Sequence, residues 1–176
     1  MNLDETQLSS TLTSTYRVIK TSESRIRLDI NKHNATAMMC CITASGHKLQ
    51  LYQLCQGKTG RSLNKFKKYK FVTLELSGTR QSLAWFNKTH LIKYINDTII
   101  PYIQKWPSLL IVDNATYHRD TEIKQLCSNN NIELMYIPDR CTDSCQPLDV
   151  DMLGPLNMQC NAEFKKHAAG VFHIVN

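Results

Sequence analysis

Three short segments of the sequence carry acidic residues that could do chemistry. Asp113 directly follows the apolar run at 109–112, and open α/β sheets place their ligands at the carboxyl ends of such strands. Asp149 follows the tripeptide Gln-Pro-Leu, and Asp4 stands in the N-terminal segment NLDET. A buried carboxylate is unfavourable unless a cation or hydrogen-bond donors face it. Asp113 is therefore a candidate ligand-binding residue.

Each segment also has a purely structural interpretation. The pair Asp113-Asn114 can turn the chain, Asp149 can cap a helix, and the residues around Asp4 can form a frayed terminus. One predicted helix and one predicted strand separate Asp113 from Asp149. Because neighbouring strands of such a sheet return to the same edge, these two carboxylates can face one cleft.

Strands and helices alternate around these residues. The region 5–35 is polar and predicts loops, with one short strand at Tyr16–Ile19. Apolar periodicity, turn residues and caps predict the remaining elements: hairpin strands at 37–43 and 48–56, a strand at 71–76, a helix at 82–104 kinked by Pro101, a strand at 109–112 buried on both faces, a helix at 121–129 capped by Asp120, a strand at 132–137, and a final helix from Pro147. This order predicts an α/β fold with a mixed sheet and flanking helices.

Composition limits the class of protein. The 176 residues predict a single domain, and an apolar content of 42% excludes general disorder. The formal net charge of +6 permits an anionic partner. The longest apolar run, Ala37–Ile42, is too short to cross a bilayer, which needs about 20 residues. With no secretion signal at the N-terminus, we predict that the seven cysteines are free thiols in a reducing compartment.

Together the three acidic segments resemble the DDE superfamily endonuclease domain of pogo-like transposases, which includes the Tigger and Jerky lineages and centromere protein B. Members carry an N-x-DET element, an apolar strand that ends in DNAxxH, and a QPLD element before a helix. The corresponding segments here are NLDET (2–6), LLIVDNATYH (109–118) and QPLDVDMLGPLN (146–157). The hairpin at 36–58 and the Trp85-Phe86 pair before a helix are also similar to the family pattern.

The resemblance implies a ribonuclease H-like fold in which Asp4, Asp113 and Asp149 are catalytic and hold two Mg²⁺ or Mn²⁺ ions. Oxygen ligands suit both ions, and two of them activate the attacking water or 3′-hydroxyl and stabilise the leaving oxygen. Without a cation, clustered carboxylates repel one another and one pKa rises.

Further residues near these three are candidates for supporting or competing roles. Asn114 and His118 match the DNAxxH element, and we expect them to support the metal ligands or to lie beside a phosphate; an exposed loop histidine is the alternative for His118. Glu5 is a spare ligand. Asp143 and Asp151 compete with Asp149, which alone follows Gln-Pro-Leu.

A basic stretch and a group of thiols and imidazoles complete the candidate sites. Four lysines surround Phe66 and Tyr69 and predict contacts with nucleic-acid phosphates, a nuclear-targeting patch or a solvated loop: Lys65, Lys67, Lys68 and Lys70. Zinc is not expected, because the spacings of the potential ligands match no recognised zinc finger: Cys141, Cys145, Cys160, His167 and His173.

Two functional hypotheses follow. The first is a nuclear, metal-dependent DNA endonuclease and strand transferase; the second is a domesticated, catalytically silent DNA- or protein-binding module. Since the family's helix-turn-helix domains are not in this sequence, we expect DNA contacts mainly to phosphates; a homodimer stays open. In the family an apolar run leads into the strand that carries this first aspartate, but only three residues precede Asp4 here. The resemblance therefore implies that residues 1–176 are an N-terminally truncated domain, and we expect a short, frayed first strand and weak or absent nuclease activity.

Overall fold

Six strands form one sheet in the computed structural model, which describes residues 1–9, 35–56, 63–64, 70–77 and 85–172. The strands are β1 (Asn2–Ser9), β2 (Ala35–Ile42), β3 (Leu51–Cys55), β4 (Val72–Leu76), β5 (Ser108–Val112) and β6 (Ile132–Tyr136). Their lateral order is β4-β3-β2-β1-β5-β6. Only β2 runs against its neighbours, so the other five described strands point the same way.

Helical segments lie on both faces of this mixed sheet. They are α1 (Lys88–Tyr94), a π segment (Ile95–Ile99), α2 (Ile100–Ile103), a 3₁₀ turn (Thr116–Arg119), α3 (Thr121–Asn129), α4 (Thr142–Cys145), a second π segment (Leu148–Leu153) and α5 (Gly154–Phe172). The mixed α/β architecture that the sequence predicts is confirmed, and it is consistent with a ribonuclease H-like fold.

The predicted hairpin and the parallel pair are both present. β2 and β3 pair antiparallel after a turn in which Gly46 takes a φ of 82°, a left-handed conformation that glycine adopts readily. β5 and β6 pair parallel, with α3 between them in the chain. The Asp120 side chain caps α3 by accepting a 2.9 Å hydrogen bond from the Glu122 N–H.

The prediction of loops directly after Asp4 is wrong for residues 5–9, and so is that of a short first strand. β1 extends through Ser9 and pairs with β2 along its whole length, from Asn2↔Ile42 to Ser9↔Ala35. Backbone pairing of this kind needs no regular alternation of apolar residues, because the main chain supplies the hydrogen bonds. The predicted strand at Tyr16–Ile19 lies outside the described residues, and truncation of the domain stays a prediction.

β5 is not buried on both faces as its apolar run predicts. Leu110 and Val112 are buried, whereas Leu109 is 37% exposed and Ile111 is half-buried. On that face the second π segment and α5 pack over β1 and β2, so they do not cover the beginning of β5.

The helix predicted at 82–104 begins later, and its kink has a different form. Asn87 caps it, and the helix starts at Lys88; residues 82–84 lie outside the described part of the chain. Ahead of Pro101, the helix widens into the π segment, in which the Ile100 N–H bonds to the Ile95 carbonyl. Proline lacks an N–H and its ring crowds the carbonyl four residues earlier, so the helix accommodates it by an inserted wider turn.

The strands separate two apolar cores. The larger one lies between the sheet and helices α1 to α3 and includes Leu3, Tyr52 and Leu110. The smaller one lies on the opposite face, where Leu148 and Leu153 pack on the side chains of β2. Residues that alternate along β1 therefore enter different cores.

Candidate active site

The neighbouring acids of the NLDET segment project from opposite faces of β1. Asp4 lies on the face covered by the second π segment, and its carboxyl group reaches that of Asp149. Glu5 lies on the other face, where its Oε1 is 3.2 Å from Nε2 of His118. Successive side chains of a strand alternate between faces, so adjacent residues enter different environments.

Asp4 and Asp149 form a close carboxyl pair. Asp4 is only 5% exposed, and its Oδ1 accepts a 2.9 Å hydrogen bond from the Glu5 N–H. Burial, and then the neighbouring Asp149, raise the pKa of Asp4 to about 8. The two carboxyl groups can share a hydrogen bond only when one of them carries a proton. The buried Oδ2 of Asp4 has no hydrogen-bond partner among the described residues.

Asp113 belongs to a second cluster, centred on His118. Asp113 Oδ1 lies 2.6 Å from His118 Nδ1 and accepts a 3.0 Å hydrogen bond from the Ala115 N–H. His118 is 1% exposed, and its other ring nitrogen faces Glu5. Because each ring nitrogen meets a carboxylate, both donate, and the ring is an imidazolium.

The pKa values of this cluster agree with that charge state. Burial alone would lower the pKa of His118, but its hydrogen bonds to Asp113 and Glu5 outweigh burial and raise the pKa to about 10. Burial would likewise raise the pKa of Asp113, but the hydrogen bonds from His118 and from the Ala115 N–H outweigh it and lower that pKa. The three side chains thus form an ion triad in which His118 is buried and the two carboxylates are partly exposed.

The three predicted ligands do not meet at one point. The pairing of Asn2 with Ile111 brings Asp4 level with Asp113 on neighbouring strands, which lie roughly 4.8 Å apart. The side chain of Asp113 is nevertheless engaged by His118, while Asp4 contacts Asp149. Within the described ranges, no three potential ligand side chains converge as a metal-binding group. The catalytic and metal-binding roles of the three aspartates stay predictions.

Of the remaining candidates, Asp143 and Asp151 compete with Asp149, and Asn114 belongs to the DNAxxH element. Asp151 is exposed, and the side chain of Asp143 lies outside the described residues. The Asn114 amide donates to Asp139, and its buried Oδ1 lacks a partner in the described part of the chain. Of the candidates near the QPLD element, Asp149 alone is seen in contact with Asp4.

The lysines predicted to bind nucleic acid are seen only in part. Lys65, Lys67 and Lys68 lie outside the described residues, and Lys70 is exposed just before β4. β4 is three strands from β1, or about 14 Å at the usual strand spacing. Lys70 is therefore not adjacent to the carboxylates.

Sequence reasoning assigned no role to three further polar residues of the site. Asn2 bonds to both β5 and the second π segment, Tyr117 packs on the His118 ring at 4.3 Å between centroids, and Gln146 is fully buried. Neither polar atom of the Gln146 side chain has a partner among the described residues. Asn2 and Gln146 stand inside the acidic motifs, so the motifs themselves contained the signal.

The donor chemistry of the carboxyl pair fits a divalent cation. Asp4 and Asp149 offer oxygen ligands only, and Asp4 keeps an unpartnered buried oxygen that a cation would satisfy. Two adjacent carboxyl groups, one of them buried, are mutually repulsive when both are ionised, and a cation removes that repulsion. The seven cysteines of the chain are all free thiols, so none of them is paired in a disulfide.

A ribonuclease H-like sheet that carries acidic residues on β1 and directly after β5 defines the class of protein to which this chain belongs. Residues 32–169 match the family model of the DDE superfamily endonuclease. The match covers most of the chain, and the protein belongs to this family. Membership implies a transposase-like nuclease or DNA-binding function, in a family that generally uses divalent metals and binds DNA. The narrower pogo-like assignment stays a prediction.

Other comparisons are less extensive. A segment of 87 residues, 49% of the chain, is 30% identical to part of the "MFS-type transporter clz9" of Cochliobolus lunatus. That match covers 9% of the transporter, so the chain spans only a small part of this curated relative. No solved structure gives a significant match. None of the helices in the described ranges is both long and apolar enough to cross a membrane.

Proposed function

We propose that this chain is a transposase-derived catalytic domain that cleaves and joins DNA with Mg²⁺ or Mn²⁺. The observation that carries the proposal is the contact between the buried Asp4 carboxyl and Asp149, which leaves one Asp4 oxygen unpartnered. A cation is the partner that such a pair of oxygen ligands suits best. Membership in the DDE superfamily endonucleases supports this choice.

In this proposal Asp4 and Asp149 share one task, and Asp113 has a different position. Asp4 and Asp149 would hold the cation, which would supply activation of the attacking oxygen and stabilisation of the leaving one. His118 holds and orients the third carboxylate, Asp113, through Oδ1. Asp113 keeps 30% of its side chain exposed to solvent, so it stays accessible beside the site.

DNA is the proposed substrate, and the nucleus the proposed location. The formal net charge of +6 favours a polyanion, and the basic stretch at 65–70 supplies four lysines for phosphate contacts. Lysine–phosphate contacts carry no base-specific information, so binding should depend steeply on salt and weakly on sequence.

One observation favours the silent binding module as the second candidate. Asp113 is bonded to His118 rather than directed at the Asp4–Asp149 pair, and no three-ligand group is present in the described residues. A site with only two ligands in place would bind a cation weakly and catalyse poorly. The chain would then retain DNA affinity without cleavage.

Nicking of supercoiled plasmid in the presence of Mn²⁺ tests the proposal. We expect wild-type protein to nick, Asp149→Asn to abolish nicking, and Asp151→Asn to nick like the wild type. Asp151 is a suitable control because it is an exposed acid in the same helical segment. Equal nicking by the wild type and Asp149→Asn would contradict the proposed site, and DNA binding without nicking would support the silent module.

A further inference from the structure

A single buried amide connects three elements of the candidate site. Asn2, at the start of β1, is 4% exposed. Its Nδ2 donates a 3.3 Å hydrogen bond to the carbonyl of Ile111 in β5, and its Oδ1 accepts a 3.0 Å hydrogen bond from the N–H of Leu148. Leu148 is the first residue of the second π segment. One side chain therefore joins a strand, its neighbour and a helical segment from the far end of the chain.

The positions of these bonds coincide with those of the acidic residues. Asp4 follows Asn2 by two residues and lies on the same face of β1. The carbonyl that Asn2 contacts stands two residues before Asp113, and the N–H that it accepts from stands directly before Asp149. Any shift of Asn2 would move all three backbones relative to one another.

Apolar packing alone would not place Asp149 so closely. The Leu148 side chain is fully buried against Met38 and Cys40, but burial of apolar surface is non-directional. The first N–H groups of a helical segment lack acceptors within it, and Pro147 has no N–H to offer. The Leu148 N–H therefore depends on Asn2, and this bond fixes the direction in which the segment begins.

We propose that Asn2 is a positioning residue, whose amide sets the separation between the strand that carries Asp4 and the segment that carries Asp149. The inference rests on the proposed function, because it assigns to Asn2 the placement of a cation-binding pair. Asn2 does not touch the cation itself. It acts through the backbones of its two partners, as residues behind metal ligands commonly do.

Mn²⁺ titration of the full chain by calorimetry tests this role without measuring cleavage. Asn2→Ala removes both hydrogen bonds, and Asn2→Leu removes them while keeping a similar volume. Asn157→Ala is the matched control, because the Asn157 amide donates a 3.0 Å hydrogen bond to Thr6 on the same strand. We expect both Asn2 variants to weaken Mn²⁺ binding by about 10- to 100-fold, the usual effect of losing a residue behind a ligand. Asn157→Ala should bind like the wild type.

Equal Mn²⁺ affinity of the Asn2 variants and Asn157→Ala would overturn the inference. Amide hydrogen exchange of Leu148 gives a second measurement, which needs no cation. The wild-type protein alone is enough for its first part, so no variant that might misfold is required. We expect this amide to be protected in the wild type and to exchange faster in Asn2→Leu. Exchange as fast as that of an exposed amide in the wild type would also overturn the inference. If the wild type binds no Mn²⁺, the proposed function fails, and the Leu148 amide alone decides the role of Asn2.

Discussion

Adjacent acidic residues of β1 have different neighbours. Asp4 is buried next to another carboxyl group, so its pKa rises to about 8, while Glu5 faces the imidazolium of His118. The first arrangement favours a proton or a cation, and the second is already neutralised by a histidine. Two residues of the same chemistry thus have different environments because the strand directs them to opposite faces.

The raised pKa of Asp4 predicts a pH-dependent stability for the metal-free protein. Its folded-state value of about 8 lies above the ordinary 3.8, so between these pH values the unfolded chain binds fewer protons than the folded one. The free energy of unfolding must therefore fall as pH rises through this window. We expect Asp4→Asn to reduce the fall. Melting temperatures in EDTA at about pH 5 and about pH 8 measure it.

The exposed acid Asp151 provides the control for this experiment. Asp151→Asn should show the same loss of melting temperature between the two pH values as the wild type, since that side chain is exposed. A wild-type protein that is as stable at the higher pH as at the lower one would contradict the proposed burial of a proton on Asp4.

At the scale of elements, β1 is the part of the fold on which the site depends. It is paired on both sides, with β2 along its length and with β5 at Asn2, and it contacts the second π segment and α5. The helices on the opposite face hold this sheet in place. The first of them starts with a reciprocal cap, in which Asn87 accepts from the His90 N–H and His90 accepts from the Asn87 N–H.

Removal of this cap should destabilise the helix without affecting the carboxylates. Asn87→Ala leaves the His90 N–H without its acceptor, and the expected loss is about 1 kcal/mol of unfolding free energy. Asn87→Ser keeps a capping oxygen and should retain most of the stability. Urea denaturation of the three proteins measures the difference. Equal stability of Asn87→Ala and the wild type would show that the cap does not contribute.

At the scale of the whole molecule, charge and fold act on different aspects of the proposed DNA binding. In that proposal the excess of basic residues attracts a polyanion over long distances, whereas the sheet determines where the acidic residues meet it. Lys70, the one lysine of the basic stretch that the structure describes, lies just before β4 at the edge of the sheet opposite β6, so β3 and β2 stand between β4 and the strand that carries Asp4. Duplex DNA is wide enough to contact both regions, since its phosphates recur along both strands.

Replacement of the four lysines by alanine should weaken DNA binding and flatten its dependence on salt. Each lost phosphate contact reduces the magnitude of the negative slope of log affinity against log salt by about 1. The matched control replaces four exposed lysines elsewhere, Lys48, Lys105, Lys124 and Lys166, and so changes the net charge equally. Fluorescence anisotropy over a salt series measures both variants. Equal slopes for the two variants would contradict phosphate binding by the stretch at 65–70 and would favour the alternative of a solvated loop.

Much of the element order was predictable, because helices, strands and turns leave local signals. The hairpin β2–β3, the strand pair β5–β6 and the Asp120 cap follow from apolar spacing and turn residues within short windows. The length of β1 was not predictable in this way, because polar residues after Asp4 carry no strand periodicity. Its pairing with β2 comes from a partner more than two dozen residues away.

By itself, the sequence determined the class of fold and the family, and it predicted the acidic candidates for the site. Only the tertiary structure decided which of them meet: Asp4 with Asp149, and Asp113 with Glu5 through His118. The link through Asn2 was likewise visible only in three dimensions. Apart from the contact between Asp113 and His118, which are five positions apart, these contacts join residues more than a hundred positions apart. They depend on strand register and on the face to which each side chain points. A one-residue change of register would reverse every face, and no local pattern of the sequence records that choice.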